Sequence, residues 1–131
     1  MVIVTSTAAE RISDDILSTN DEILAISIMD MRGNILGSRS KESFLKDFRV
    51  TREADKYGGT LAVASLGVAN EVKEVAGEAR AIITVYEKCK MMLLPLPSYE
   101  ILVGLVLHSS VNAEDYNIAN KIERLLAVRP E

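Results

Sequence analysis

The sequence has few of the residues that usually carry chemistry. Its 131 residues include one cysteine, one histidine, three prolines, two phenylalanines and no tryptophan. A lone Cys89 excludes an intramolecular disulfide and makes a reducing, cytoplasmic setting the expectation. One Cys and one His leave carboxylates to complete any metal shell, and no ligand spacing suggests one, so neither metal nor cofactor is expected. With so few large aromatics, the core must be built from Ile, Leu, Val, Ala and Met. Membrane spans need roughly 20 unbroken apolar residues. The most apolar window, Met91–Leu107, is interrupted by Pro95, Pro97, Ser98, Tyr99 and Glu100. The opening MVIVTSTAAE has no basic n-region and too short an apolar stretch for a signal peptide. Positive charge is also lacking: the net charge is −4 and the pI near 5.1. That argues against a nucleic-acid binder, which needs a basic face.

What is present is an ordinary globular composition, 48% hydrophobic and 26% charged. Residues 1–131 read as a single domain with its core over about 7–127. The most informative stretch is AIITVYEKCKMMLLPLPSYEILVGLVL. It reads as three short β-runs, Ala81–Glu87, Lys90–Leu96 and Glu100–Leu107. The last two are apolar on nearly every residue, so both faces of their sheet need cover. The rest of the chain offers that cover. Thr7 and Glu10 have capping-box spacing and open a helix over Thr7–Ser18, with Ala9, Ile12 and Ile16 on one side. Glu22–Asp30 and Ile35–Ser38 read as a hairpin around Met31-Arg32-Gly33-Asn34. Leu61–Val75 reads as a helix with Leu61, Ala64, Leu66 (less well placed), Val68, Val72 and Val75 on one side and Gly77 as its C-cap. Thr51 could cap it earlier, but Gly58-Gly59 would then sit inside the helix and cost about 1 kcal/mol each against Ala. A last helix opens at Asn112, with Ile118, Ile122, Leu125 and Leu126 as its stripe.

The expected class is therefore α/β (α+β): a five-stranded antiparallel sheet between helices, in the order α-β-β-α-β-β-β-α. ILVGLVL belongs at the centre and Ala81–Glu87 at an edge. Between Arg39 and Lys56 lies a segment of mixed charge, read as a partly helical connector docked by Phe44 and Phe48. Its cations, Arg39, Lys41, Lys46, Arg49 and Arg52, are diluted by carboxylates, so a solvated connector is the expectation.

No catalytic constellation emerges. His108 follows the central strand beside Ser109 and Ser110, but nothing in sequence orients it as a base. Cys89 sits between Lys88 and Lys90, which would favour a thiolate, yet an exposed turn thiol is the simpler reading. Gly58-Gly59-Thr60 lacks the lysine and spacing of a phosphate loop and reads as a flexible joint. Two features point outward instead. Ile82, Ile83 and Val85 make an edge strand with strong β-propensity and no protecting proline. Ala62, Ala64, Ser65, Gly67 and Ala69 let a second helix approach closely. Together they favour a homodimer joined by sheet edges and middle helices.

The stretches ILAISIMDMRGNILG, TLAVASLGVANEVKEVAG, the meander and NIANKIERLL resemble the Roadblock/dynein light chain family of the Roadblock/longin superfamily, in its prokaryotic form. The resemblance runs from about Thr7 to Ala127. It implies a non-catalytic dimer acting as scaffold or regulator of a small Ras-like GTPase, some bacterial members stimulating GTP hydrolysis. It places dimer contacts on Ile82, Thr84 and Tyr86 of the edge strand and on Ala64, Val68 and Glu71 of the helix. The charged Arg39–Lys56 segment is longer than a minimal member needs. The competing expectation is a profilin-, PAS- or GAF-like domain holding a small ligand against the sheet. Ser27 and Thr84 are the obvious polar candidates for such a cavity.

Overall fold

The computed structural model describes residues 3–47, 52–115 and 117–128. Its strands are β1 (Ile23–Asp30), β2 (Ile35–Ser40), β3 (Ile82–Val85), β4 (Cys89–Leu96) and β5 (Ile101–His108). They form one antiparallel sheet in the order β2-β1-β5-β4-β3. The apolar run ILVGLVL is thus the middle strand and β3 an edge, as the hydrophobic pattern requires. Pro95 lies in β4 beyond Leu93, the last residue that β3 pairs. There β4 is itself an edge on that side, where a proline is tolerated.

The helices are α1 (Ser6–Thr19), α2 (Glu42–Asp47), α3 (Arg52–Asn70), α4 (Lys73–Ala76) and α5 (Ala119–Val128). One face of the sheet packs on α1 and α5. Ala9, Ile12 and Ile16 of α1 and Ile122 and Leu126 of α5 join Ile26, Ile28, Val103 and Leu105 in the main core. α1 lies very close to β2, because Gly37 has no side chain. A Cβ there would come within 2.6 Å of the Glu10 amide nitrogen. That approach explains where α1 starts. Ala8 and Ala9 must be helical to pack so closely, so the cap moves upstream to Thr5, whose Oγ1 accepts from the Ala8 amide at 3.1 Å. Thr7, the expected cap, lies inside the helix.

The segment after β2 is shorter as a connector than its charge suggests. Arg39 and Ser40 belong to β2, and Arg39 pairs loosely with Glu10 of α1 at 3.9 Å. Lys41 donates to the carbonyls of Asn20 and Asp21 at 3.0 and 2.9 Å, just past the end of α1. Two of the five candidate cations are therefore occupied within the fold. Phe44 is half-buried on α2. Phe48, Arg49 and Thr51 lie outside the described residues.

The other face is covered by α3, which differs most from expectation. It takes the earlier of the two starts, beginning at Arg52 and carrying Gly58-Gly59 inside it, so that pair is no flexible joint. It ends at Asn70, and a turn leads to the single turn α4, capped by Gly77 at φ +85°. Its buried side chains are Ala62 and Leu66, packed with Met29, Leu93 and Leu102. Leu61, Ala64, Val68, Val72 and Val75, which the sequence pattern groups on one side with Leu66, are exposed, and of that set only Leu66 is buried. The cause is the contact between Gly59 and the hairpin turn at Gly33. A Cβ on Gly33 would lie 2.7 Å from the Gly59 carbonyl oxygen, and one on Gly59 would overlap the Gly33 oxygen. Residues 59, 62 and 66 share one helical face, so this contact sets the rotation of the whole helix. At the other end of the chain, Val111, Ala113 and Ile118 are all buried, a spacing that one helical face cannot hold. The expected helix from Asn112 accordingly yields to a 3-10 turn, Ala113–Asp115, and α5 starts at Ala119.

The hairpin turn is organised by Asp30. Its carboxylate accepts from the amides of Arg32 and Asn34 at 2.8 and 3.0 Å and from the Asn34 side chain at 3.0 Å. Gly33 supplies the positive φ, +86°. Partial burial pushes the Asp30 pKa up, but the Asn34 and Arg32 hydrogen bonds and the Arg32 charge outweigh it and hold it below 3.8. A lowered pKa means that the stabilisation is present above the unfolded value and is lost as pH falls through the folded one. The Asn34 amide resonance should therefore titrate with a midpoint below 3.8; a midpoint at or above it would show that these bonds do not hold the carboxylate.

The two glycines of α3 should respond oppositely to alanine. Gly58→Ala meets nothing within 4 Å, so helix propensity alone should stabilise the fold by about 1 kcal/mol. Gly59→Ala gains the same propensity but collides with backbone, so urea titration should show it net destabilised by about 1–3 kcal/mol.

Candidate functional site

A helix that turns apolar residues outward leaves them for a partner or for water. On α3 and the turn after it, Val68 is 74% exposed and Val72 57%. Leu61 and Ala64 continue the row towards the helix start. On the same side of the sheet lies the β3 edge. Its outer hydrogen-bonding groups face no described strand, and Val85 is 68% exposed. No charged side chain falls within Ile82–Val85 to discourage pairing.

The six residues expected at an interface fall into this region with different environments. Ala64 and Val68 lie on the outer row of α3, and Glu71 is exposed in the turn that follows it. Ile82 is half-buried against the small core that contains Ala62 and Leu66. Thr84 is exposed on the α3 side of β3. Tyr86 lies just past the strand, 44% exposed, its amide donating to the Cys89 carbonyl at 2.9 Å.

Beneath α3 the sheet is incompletely covered. Two rows of cross-strand neighbours face the helix. One is Ser38–Ser27–Gly104–Leu93–Ile82, the next Ser40–Ala25–Val106–Met91–Thr84. Small residues dominate their β2–β1 half. The result is a half-open cleft of about 260 Å³ between the sheet, α2 and α3, roofed by Phe44, Leu61 and Ser65. The Ser27 and Ser38 hydroxyls meet at 3.3 Å on its wall.

Several solved structures share this architecture. The Roadblock/LC7 domain from Streptomyces avermitilis matches 92% of this chain and 94% of its own, with a TM-score of 0.68 and 8% identity. The gliding protein MglB from Thermus thermophilus matches 94% of this chain and 88% of its own, with a TM-score of 0.70 and 12% identity. The chain has the Roadblock/LC7 fold. A further Roadblock-type neighbour, MglB in a tetrameric arrangement, matches 99% of this chain and 90% of its own at a TM-score of 0.65 and 12% identity. No protein-family model and no curated protein matches the sequence. At such identities the likeness is one of fold, and function has to be argued from the surfaces.

Of the candidate chemical residues, Cys89 differs in character from expectation and His108 does not. Cys89 is no exposed turn thiol. It is the first residue of β4, 9% exposed, and lines the cleft. Burial raises its pKa above 9.0. Strand alternation separates it from its basic neighbours: Lys90 donates to the Val111 carbonyl at 2.6 Å, and Lys88 is exposed. His108 is the cross-strand partner of Cys89 but is solvent-exposed, its amide bonded to the Glu22 carbonyl. Among the described residues no group of three His, Cys, Asp or Glu could hold a metal, and no helix is long and apolar enough to cross a membrane. Gly58-Gly59 lies within α3, where it offers no free helix N-terminus to an anion.

Sequence reasoning named Ser27 and Thr84 as cavity candidates but missed Ser38, Ser40, Ser65 and Cys89. A signal existed: Ala25 and Ser27 on β1 and Ser38 and Ser40 on β2 stand two apart, which predicts a thin patch on one sheet face. Because Cys89 is buried and burial pushes its thiol pKa up, alkylation by iodoacetamide at about pH 8 should be at least tenfold slower in the native protein than in urea. Equal rates would place the thiol at the surface.

Proposed function

We propose that this chain is a non-catalytic, dimeric scaffold or regulator whose client is a small Ras-like GTPase, acting in the cytoplasm. The observation that carries the reading is the exposed apolar row of α3 beside the unpaired edge of β3. Isolated exposed apolar residues are common, but a continuous row next to an open strand edge favours burial by another chain. A second copy satisfies both at once. Two β3 edges would pair antiparallel across a two-fold axis, and the two α3 rows would meet over the join. Ala64 and Gly67 leave room for close helix contact, while Val68 supplies apolar area. Ala64, Val68, Glu71, Ile82, Thr84 and Tyr86 would form this interface. The MglB structure in a tetrameric arrangement supports association of this fold. The GTPase client follows from the Roadblock resemblance of the sequence, and the Roadblock/LC7 fold is consistent with it.

Light scattering at micromolar concentration should give twice the 14.4 kDa chain mass. Val68→Asp should weaken association at least tenfold, about 1.4 kcal/mol, with little change in monomer stability because the residue is exposed. A wild-type species of 14.4 kDa would overturn the dimer. Pull-down with the host's small GTPases, loaded with GDP or a GTP analogue, tests the client. Retention of one of them by wild type and its loss in Val68→Asp would support a dimer-dependent regulator, and retention of none would remove the GTPase from the reading.

A further inference from the structure

We propose that the cleft beneath α3 is a binding site for a small neutral amphiphile: an apolar chain or ring that ends in a hydroxyl or carbonyl group. Protein interiors seldom leave voids larger than a water molecule. This cleft holds about 260 Å³, more than an engineered cavity of roughly 150 Å³ that takes up benzene. It lies just below the usual range for drug-sized ligand pockets, about 300–1,000 Å³, which suits a small ligand.

The void is not forced by the fold. Gly104 sits in the middle of the central strand, where every other residue before His108 is Ile, Leu or Val. A glycine there weakens a strand unless something approaches its backbone. No neighbouring backbone requires it. A Cβ on Gly104 would meet the mobile end of Met29 at 3.3 Å and otherwise nothing nearer than the Ser27 oxygen at 4.0 Å. Its φ is not positive, so neither geometry nor close packing demands glycine. The space over Gly104 is the deep wall of the cleft.

The chemistry of the walls selects the ligand. Among the described lining residues none is charged. An ion entering there would lose its hydration without gaining a counter-charge. The β4–β5 side is apolar, through Met91, Leu93 and Val106. The β1–β2 side carries hydroxyls, on Ser27, Ser38 and Ser40. Serine hydroxyls donate and accept, so they suit a neutral oxygen. An apolar body would therefore lie across Gly104 with its polar end towards β2. The cleft shares Leu61, Ile82 and Thr84 with the exposed row and the edge strand, while Val68 is turned to solvent and does not line it.

The test uses the full chain and 1-octanol below its solubility limit, with octanoate and octylammonium as charged counterparts, by calorimetry and ligand-observed NMR. Saturable binding of one octanol per chain is expected, at least tenfold tighter than either ion. Ser65→Leu, which fills the cleft from the helix side, and Gly104→Val, which fills it from the sheet, should each weaken octanol at least tenfold with an unchanged circular dichroism spectrum. Val68→Asp should bind octanol as wild type does. Should Gly104→Val not fold, Ser65→Leu decides alone. Binding that does not saturate, that persists in the filled variant, or that is equally tight for an ion overturns the proposal. Light scattering on the same samples separates this inference from the dimer. A monomer that binds octanol removes the dimer and keeps the pocket, and a dimer without saturable binding does the reverse.

Discussion

The whole arrangement depends on burying β5 from both sides. Ile101, Val103, Leu105 and Leu107 point to one face and Leu102 to the other, and all are within 1% of complete burial. Apolar area of this kind stabilises a fold only when removed from water, so one strand demands two covers. The chain meets the two demands differently. α1 and α5 close their face with Ile, Leu and Ala packed against Ile and Val, and α1 is drawn in over Gly37. α3 closes the opposite face mainly through Ala62 and Leu66, over rows that include serine, alanine and glycine. The first cover is tight and the second leaves space. The asymmetry leaves the cleft and the exposed apolar row on the α3 side.

On that side a single backbone contact has large consequences. Gly33 and Gly59 approach so closely that no side chain fits at either. With position 59 held against the hairpin turn, helical geometry sends 62 and 66 inward and 61, 64 and 68 outward. The exposed valines are thus a result of where the helix is anchored. The same anchoring puts Leu61 and Ser65 over the cleft. The interface proposed for a second copy and the pocket proposed for an amphiphile therefore adjoin along one helix, and both are set by the contact of Gly59 with Gly33.

Much of this was legible in advance. Hydrophobic runs separated by turn residues revealed five strands, their approximate bounds, and which of them is central and which an edge. Asp30, Gly33 and Asn34 announced the hairpin turn, and Gly77 the stop before β3. Side-chain environments were harder to read. α3 has apolar or small residues nearly all round, so periodicity could not choose a buried face, and the one preferred was the wrong one. Cys89 looked like a turn residue because two lysines flank it, yet strand alternation buries it and sends Lys90 to the other face. Thr5, Ser6 and Thr7 are three hydroxyls in a row, and only the packing of α1 on β2 selects among them.

By itself the sequence determined the layered architecture. Strands apolar on two faces cannot exist in water without helices above and below, and the order of elements leaves one economical way to supply them. Tertiary structure alone decided the rotation of α3, the start of α1 and the presence of a cleft. Each of these depends on backbone approaching backbone, at Gly33 and Gly59, at Gly37 and Ala9, or failing to close over Gly104. Such distances arise between segments far apart in the chain, where local periodicity carries no information.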